Sequence, residues 1–220
     1  MENPWKNIKD KTSEYIADCD KAAIKNQNLG EKFDFSILPH PYMGDPSNAE
    51  IFLLNANPNS GPLNNGINHS EFTKNHKDIA LNNLEHKIND YPLYGINAAF
   101  KDYFVYKWWF RHLQPIIKEI RNSQKVSKKI FEAEYVPYFS DKFIYGISLP
   151  SQRYTFDIIE RAIENNKMII IMRARGEWET AIPKLRNYGN KFVLHSAQNT
   201  IISRGNLDDG KFEKIIKQIK

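Results

Sequence analysis

Met168-Ile169-Ile170-Ile171-Met172 is an unbroken apolar run dominated by β-branched residues. Short runs of this kind belong to strands buried on both faces, as in the middle of a parallel sheet. Upstream, Pro150 to Asn165 carries Tyr154, Ile158, Ile159 and Ala162 at helical spacing, with Pro150 and Ser151 at its start. Downstream, a short helix around Trp178 to Leu185 precedes the strand Lys191-Phe192-Val193-Leu194, and an amphipathic helix over about 208–219 closes the chain. Toward the N-terminus, Ile130 to Val136 reads as another strand, stopped by Pro137-Tyr138-Phe139-Ser140. Asp102 to about Asn122 reads as an aromatic-rich helix, which Pro115 should kink or split. Ile51-Phe52-Leu53-Leu54 supplies the first strand, over about 50–55. Strands alternating with helices predict one three-layer α/β/α domain over 1–220, built on a central, mainly parallel four-stranded sheet.

Other segments are less regular. Residues 3–29 read as a polar helix or helix pair within an N-terminal helical extension over 1–34. Pro39-His40-Pro41-Tyr42-Met43-Gly44-Asp45-Pro46 is too rich in proline for regular structure. Residues 59–101 form a long insertion, opening as an asparagine-rich loop and continuing as a helix near 71–87. Loops of that length tend to be functional. Trp108-Trp109-Phe110 reads as helix packing, and Lys125, Lys128 and Lys129 as a solvated helix end.

Composition narrows the function classes. The chain has 31 Lys and Arg against 26 Asp and Glu, a net charge of +5, which mildly favours a polyanionic partner. A single cysteine, Cys19, rules out an internal disulfide and disfavours Cys-rich metal sites. No run approaches membrane-span length and the N-terminus has no apolar leader, so a cytoplasmic protein, a monomer without membrane attachment, is expected. There is no glycine-rich phosphate loop, nucleophile elbow or helical pair of metal-spaced His and Glu. Neither a cofactor nor a metal is implied.

Two polar loops follow strands. Asn55-Ala56-Asn57-Pro58-Asn59-Ser60-Gly61-Pro62 leaves the first strand, and His195-Ser196 leaves the last. Open α/β folds build their sites at the carboxyl ends of strands, so these loops predict one composite site. Amides, hydroxyls and a strand-end histidine suit orienting a water and stabilising a leaving anion better than covalent catalysis.

Leu54-Asn55-Ala56-Asn57-Pro58 resembles the first motif of the uracil-DNA glycosylase superfamily, and His195-Ser196-Ala197-Gln198-Asn199 a shortened form of its second. Pro41-Tyr42-Met43-Gly44-Asp45 is similar to the loop before motif one in several branches, and Glu134 to Ser140 stands in the place of the pocket-lining strand. The resemblance implies a cofactor-free glycosylase that hydrolyses the N-glycosidic bond of a base flipped out of double- or single-stranded DNA. It implies that Asn57 holds the attacking water and that His195 stabilises the departing base. Asn55, Pro58, Tyr91, Tyr94, Tyr135 and Tyr138 would line the base pocket, with Phe100 beside Tyr91 and Tyr94 for stacking. Ser60, Ser196, Gln198, Asn199, Arg173, Arg175 and Arg204 would meet the DNA.

The departures shape the expected substrate. Asn57 stands where the most active uracil enzymes have Asp, Asn59 replaces the usual glycine or tyrosine, and no asparagine ends the second strand to read uracil. These favour a bulky modified cytosine, such as the glucosylated hydroxymethylcytosine of phage DNA, removed in antiviral defence. A uracil or deaminated-base repair glycosylase and an inactive DNA-binding or damage-sensing module are the alternatives.

Overall fold

The computed structural model describes residues 2–10, 14–59, 74–87 and 89–220. It is an α/β fold on a mixed sheet of five strands: β1 (Tyr42–Met43), β2 (Ile51–Asn55), β3 (Ile130–Glu134), β4 (Met168–Ile171) and β5 (Lys191–Val193). Their order is β1-β3-β2-β4-β5, with β1 antiparallel to β3 and the other neighbours parallel. The sheet thus has one strand more than the sequence suggests, and that strand lies in the proline-rich segment. Prolines are tolerated beside a short edge strand. Gly44 ends it with φ +116°, where a Cβ would stand 2.7 Å from the Ile130 carbonyl oxygen. Only glycine lets the backbone pass so close.

The central strands behave as their composition requires. Every residue of β2, β3 and β4 is buried. Ile51 pairs with Ile130 on one side and Met168 on the other, and the register carries Asn55 opposite Glu134. From β2 the chain moves to one side to form β3, then crosses to the other side to form β4. The direction of winding therefore reverses between β2 and β4. In open α/β sheets the crevice outside such a point, at the carboxyl ends, is the usual ligand site.

The helices are α1 (Lys21–Asn26), α2 (Lys74–Leu84), α3 (Phe104–Ile120), α4 (Ser123–Lys129), α5 (Gln152–Glu164), α6 (Arg175–Ala181) and α7 (Lys211–Ile219). α3 runs unbroken through Pro115 and stops at Arg121, which is left-handed at φ 57°. Arg111, whose carbonyl loses its partner to the proline, is exposed, so water can satisfy that carbonyl and the helix need not break. α3 meets α4 and α7, while α5 meets β4. No helix among the described residues is long and apolar enough to cross a membrane.

The N-terminal segment departs most from expectation. Beside α1, its described residues hold only short 3-10 turns at Ile8–Asp10 and Asp18–Asp20. Its apolar residues anchor it to the domain instead of forming a helical stripe. Trp5 is fully buried, edge-on to Tyr138 with ring centroids 6.0 Å apart, and Tyr15 N–H donates to Phe35 O at 2.8 Å. One contiguous apolar cluster reaches from Trp5 to Ile219, so this segment is part of the core rather than an appendage.

Candidate functional site

The first polar loop begins where β2 ends. Beyond the strands, pairing continues loosely, with Val136 N–H donating to Ala56 O at 2.9 Å and Ser140 N–H to Pro58 O at 3.3 Å. This fixes Asn57 against Ser140. The Asn57 Nδ2 donates to the Ser140 carbonyl at 3.1 Å and to its Oγ at 2.9 Å. A carbonyl can only accept, so the amide is held one way round. The half-buried side chain keeps Oδ1 as its acceptor, with no hydrogen bond to a described residue. A carboxylate here would set an oxygen against the Ser140 carbonyl. The position is built for an amide.

Behind this loop lies a buried ionisable group that sequence reasoning missed. Glu132 and Glu134 project from the same face of β3, and both are buried. Asn55 Nδ2 donates to Glu134 Oε1 at 3.0 Å, and His40 bonds Glu132 through Nε2. Burial pushes the Glu134 carboxyl well above the ordinary carboxylate range, and the neighbouring Glu132 adds to it; Asn55 and Arg173 oppose. Burial also raises Glu132, with His40 opposing. One oxygen on each glutamate and the Asn55 Oδ1 have no hydrogen-bond partner. Two buried carboxyls two residues apart on one strand face disfavour ionising together, and burial shifts Glu134 toward its neutral form beside Asn55.

The third contributor follows β4. Met172 N–H and Arg173 N–H both donate to Leu54 O, at 2.8 and 3.3 Å, which ties the β4 exit to β2 at the reversal point. Arg173 shares a cavity of about 330 Å³ with Gln198 and Asn199 of the second loop. That loop is stapled by Asn206, whose Oδ1 accepts from Ser196 N–H at 3.0 Å, and by Ser196 Oγ, which accepts from Asn199 N–H at 3.0 Å. A larger cavity of about 700 Å³ is lined by Asp45, Asn48, Asn165 and Lys167, residues that precede β2 and β4. It lies at the amino edge, away from these loops.

No protein-family model, curated protein or solved structure matches the chain. The geometry of the edge carries the reading.

That geometry groups some expected residues and separates others. Asn55, Asn57, Pro58 and Arg173 gather where β2 and β4 end, and Gln198 and Asn199 join through the cavity. His195 stands past β5, two strand spacings from β2, or about 10 Å across the sheet. Its half-exposed ring bonds Asp208 through Nε2 at 2.9 Å, and no hydrogen bond joins it to Asn57. Hydrogen bonds from His195 and Lys211 hold the Asp208 carboxyl below its usual range.

Several expected pocket and DNA residues have other duties. Tyr94 and Phe100 are buried in the core, so neither presents a face to a base. Tyr138 is buried too: its hydroxyl donates to Asp20 Oδ2 at 2.7 Å and accepts from Ala17 N–H at 3.1 Å. Large aromatic rings with apolar neighbours fill cores first, which is why strand-end position alone misled here. Tyr91 is half-buried against α4, its hydroxyl 3.2 Å from Ser123 Oγ on the helix that feeds the start of β3. Tyr135 is half-buried at the β3 end, edge-on to Trp178. Arg175 is bonded to Glu179 at 2.9 Å, and Arg204 to Glu213 at 2.7 Å and Glu119 at 3.0 Å. Both remain exposed, with carboxylates already on their guanidinium groups. Ser60 lies outside the described residues.

Proposed function

We propose that the chain is a DNA N-glycosylase of the uracil-DNA glycosylase type, with a three-layer α/β/α fold. Crossovers between parallel strands are right-handed as a rule, so connections running to opposite sides of β2 favour helix layers on both faces of the sheet. The observation that carries the functional reading is Asn57. Its amide is locked by Ser140 at the carboxyl end of β2, with an acceptor oxygen left to orient a water. That water attacks the sugar C1′ as the glycosidic bond breaks, and the base leaves with the bonding pair. Glu134 and Asn55 hold the floor beneath the loop. His195, with its Nε2–H on Asp208, faces the charge of the departing base once DNA fills the gap across β4.

A neutral amide orients water but is a weak base. This supports a substrate whose base departs readily, with a bulky modified cytosine preferred. Incubation with glucosylated phage DNA, hydroxymethylcytosine DNA and uracil DNA, followed by mass spectrometry of released bases, tests the reading. Release of free modified cytosine and an abasic product is expected. Binding without release from any substrate would replace this reading with a DNA-binding module.

A further inference from the structure

We infer that the cavity between α3 and the second loop binds a nucleotide unit of the DNA strand beside the target, its phosphate held by Lys107, Arg111 and Arg173 and its base laid on Trp108. This rests on the reading of the chain as a protein that acts on DNA. The cavity's position beside the proposed centre, not within it, makes it a separate subsite.

Charge is the first argument. Lys107 and Arg111 are exposed one turn apart on α3, and Arg173 faces them across the cavity. None of the three forms a salt bridge with a described carboxylate, and no acidic residue among those described lines the cavity. Elsewhere the arginines of this edge are neutralised, Arg175 by Glu179 and Arg204 by two glutamates. The buried Arg173 Nε also lacks a hydrogen-bond partner. Three cations without a salt bridge around one concavity repel one another and favour a polyanion between them.

The second argument is the aromatic wall. Of four tryptophans, Trp5, Trp109 and Trp178 are at most 3 % exposed, while Trp108 reaches solvent in the cavity. Its indole is stacked on His112, with centroids 3.9 Å and planes 24° apart. The His112 Nδ1–H donates to Trp108 O at 2.6 Å, which fixes the pair. A rigid ring beside paired cations is how single strands are gripped, because every base has a face that can stack. The Gln198 and Asn199 amides supply hydrogen bonds at the rim. At about 330 Å³ the space lies near the lower end of ligand sites, about right for one nucleotide.

The test is fluorescence anisotropy of a labelled, unmodified duplex oligonucleotide across a salt series. The variants are wild type, the Lys107→Gln/Arg111→Gln double substitution and Trp108→Phe. Exposed Lys107 and Arg111 tolerate amides without loss of fold, and phenylalanine keeps an aromatic ring at 108. The double variant is expected to lose up to about 0.9 from the magnitude of the salt slope, the share of the one phosphate that Lys107 and Arg111 help to hold. DNA is expected to quench tryptophan emission in wild type and not in Trp108→Phe. The salt slope and affinity of the double variant are compared with those of wild type. An unchanged salt slope and affinity there, or equal quenching in Trp108→Phe, overturns the inference even if wild type releases a base. The expected slope loss without base release from any substrate leaves the subsite standing and removes the glycosylase reading instead.

Discussion

The exchange of one atom at Asn57 is informative because its neighbour is so selective. The Ser140 carbonyl faces Nδ2 at 3.1 Å and has no proton to give. Asn57→Asp would place two acceptors together, so the variant is expected to release base more slowly than wild type. A single-turnover rate for Asn57→Asp above wild type would show that Ser140 does not hold the amide as described. Glu134 offers a second prediction at this scale. Its folded-state pKa is raised by burial above the ordinary value of 4.5. The unfolded chain therefore loses this proton before the folded one, and stability falls as pH rises from 4.5 through the folded value. Glu134→Gln keeps an acceptor for Asn55 and removes the titration. Urea melts should show the variant gaining on wild type as pH rises above that point, and parallel profiles would contradict a buried neutral acid. Asn57 was legible in the sequence because an apolar run ends just before it. Glu132 and Glu134 were not. Phe131-Glu132-Ala133-Glu134 alternates as a strand with one wet face does, and only tertiary contacts, among them His40 on Glu132 and Asn55 on Glu134, take that polar face out of water.

Among the elements, β1 shows what local sequence leaves unstated. Proline-rich segments seldom pair, yet Tyr42 and Met43 complete the edge opposite Ala133 and Glu132. The pairing matters for the site because it carries His40, just upstream, onto Glu132. Gly44 makes the turn possible, so Gly44→Ala is expected to cost about 2 kcal/mol or more, from a left-handed backbone and a 2.7 Å approach to the Ile130 oxygen. Equilibrium denaturation measures this, and a change below about 0.5 kcal/mol would mean that the backbone relaxes freely. The parallel strands were legible in their apolar runs, and so were α5 and α7 in their stripes. The N-terminal segment was misread because Trp5, Ile8 and Tyr15 answer to tertiary contacts with Tyr138 and Phe35 rather than to helical periodicity. Trp108 packs against the core, as its reading as helix packing expects, but one position around the helix from Trp109 also opens it to the cavity, which the sequence alone does not reveal.

Across the whole molecule, acid and base sensitivities come from opposite edges of the fold. His86 lies in the cavity at the amino edge, stacked on Tyr42 with centroids 4.7 Å apart, and burial lowers it from 6.5 to about 4. Its contribution is complete above pH 6.5 and is lost as pH falls through the folded value, while that of Glu134 runs the other way. An NMR titration of the His86 ring is expected to give a midpoint near 4, and a midpoint at 6.5 would mean that the ring is solvated. The winding reversal between β2 and β4 gathers the Asn57 loop, Arg173 and the second loop at one edge, an arrangement that no single segment reveals. The central claim is that the locked Asn57 amide at that edge activates water against a glycosidic bond. Its most direct test is the single-turnover rate of base release by wild type and Asn57→Ala on the best substrate. The account predicts a loss of about a hundredfold or more with DNA affinity retained. Release by Asn57→Ala at the wild-type rate would contradict it.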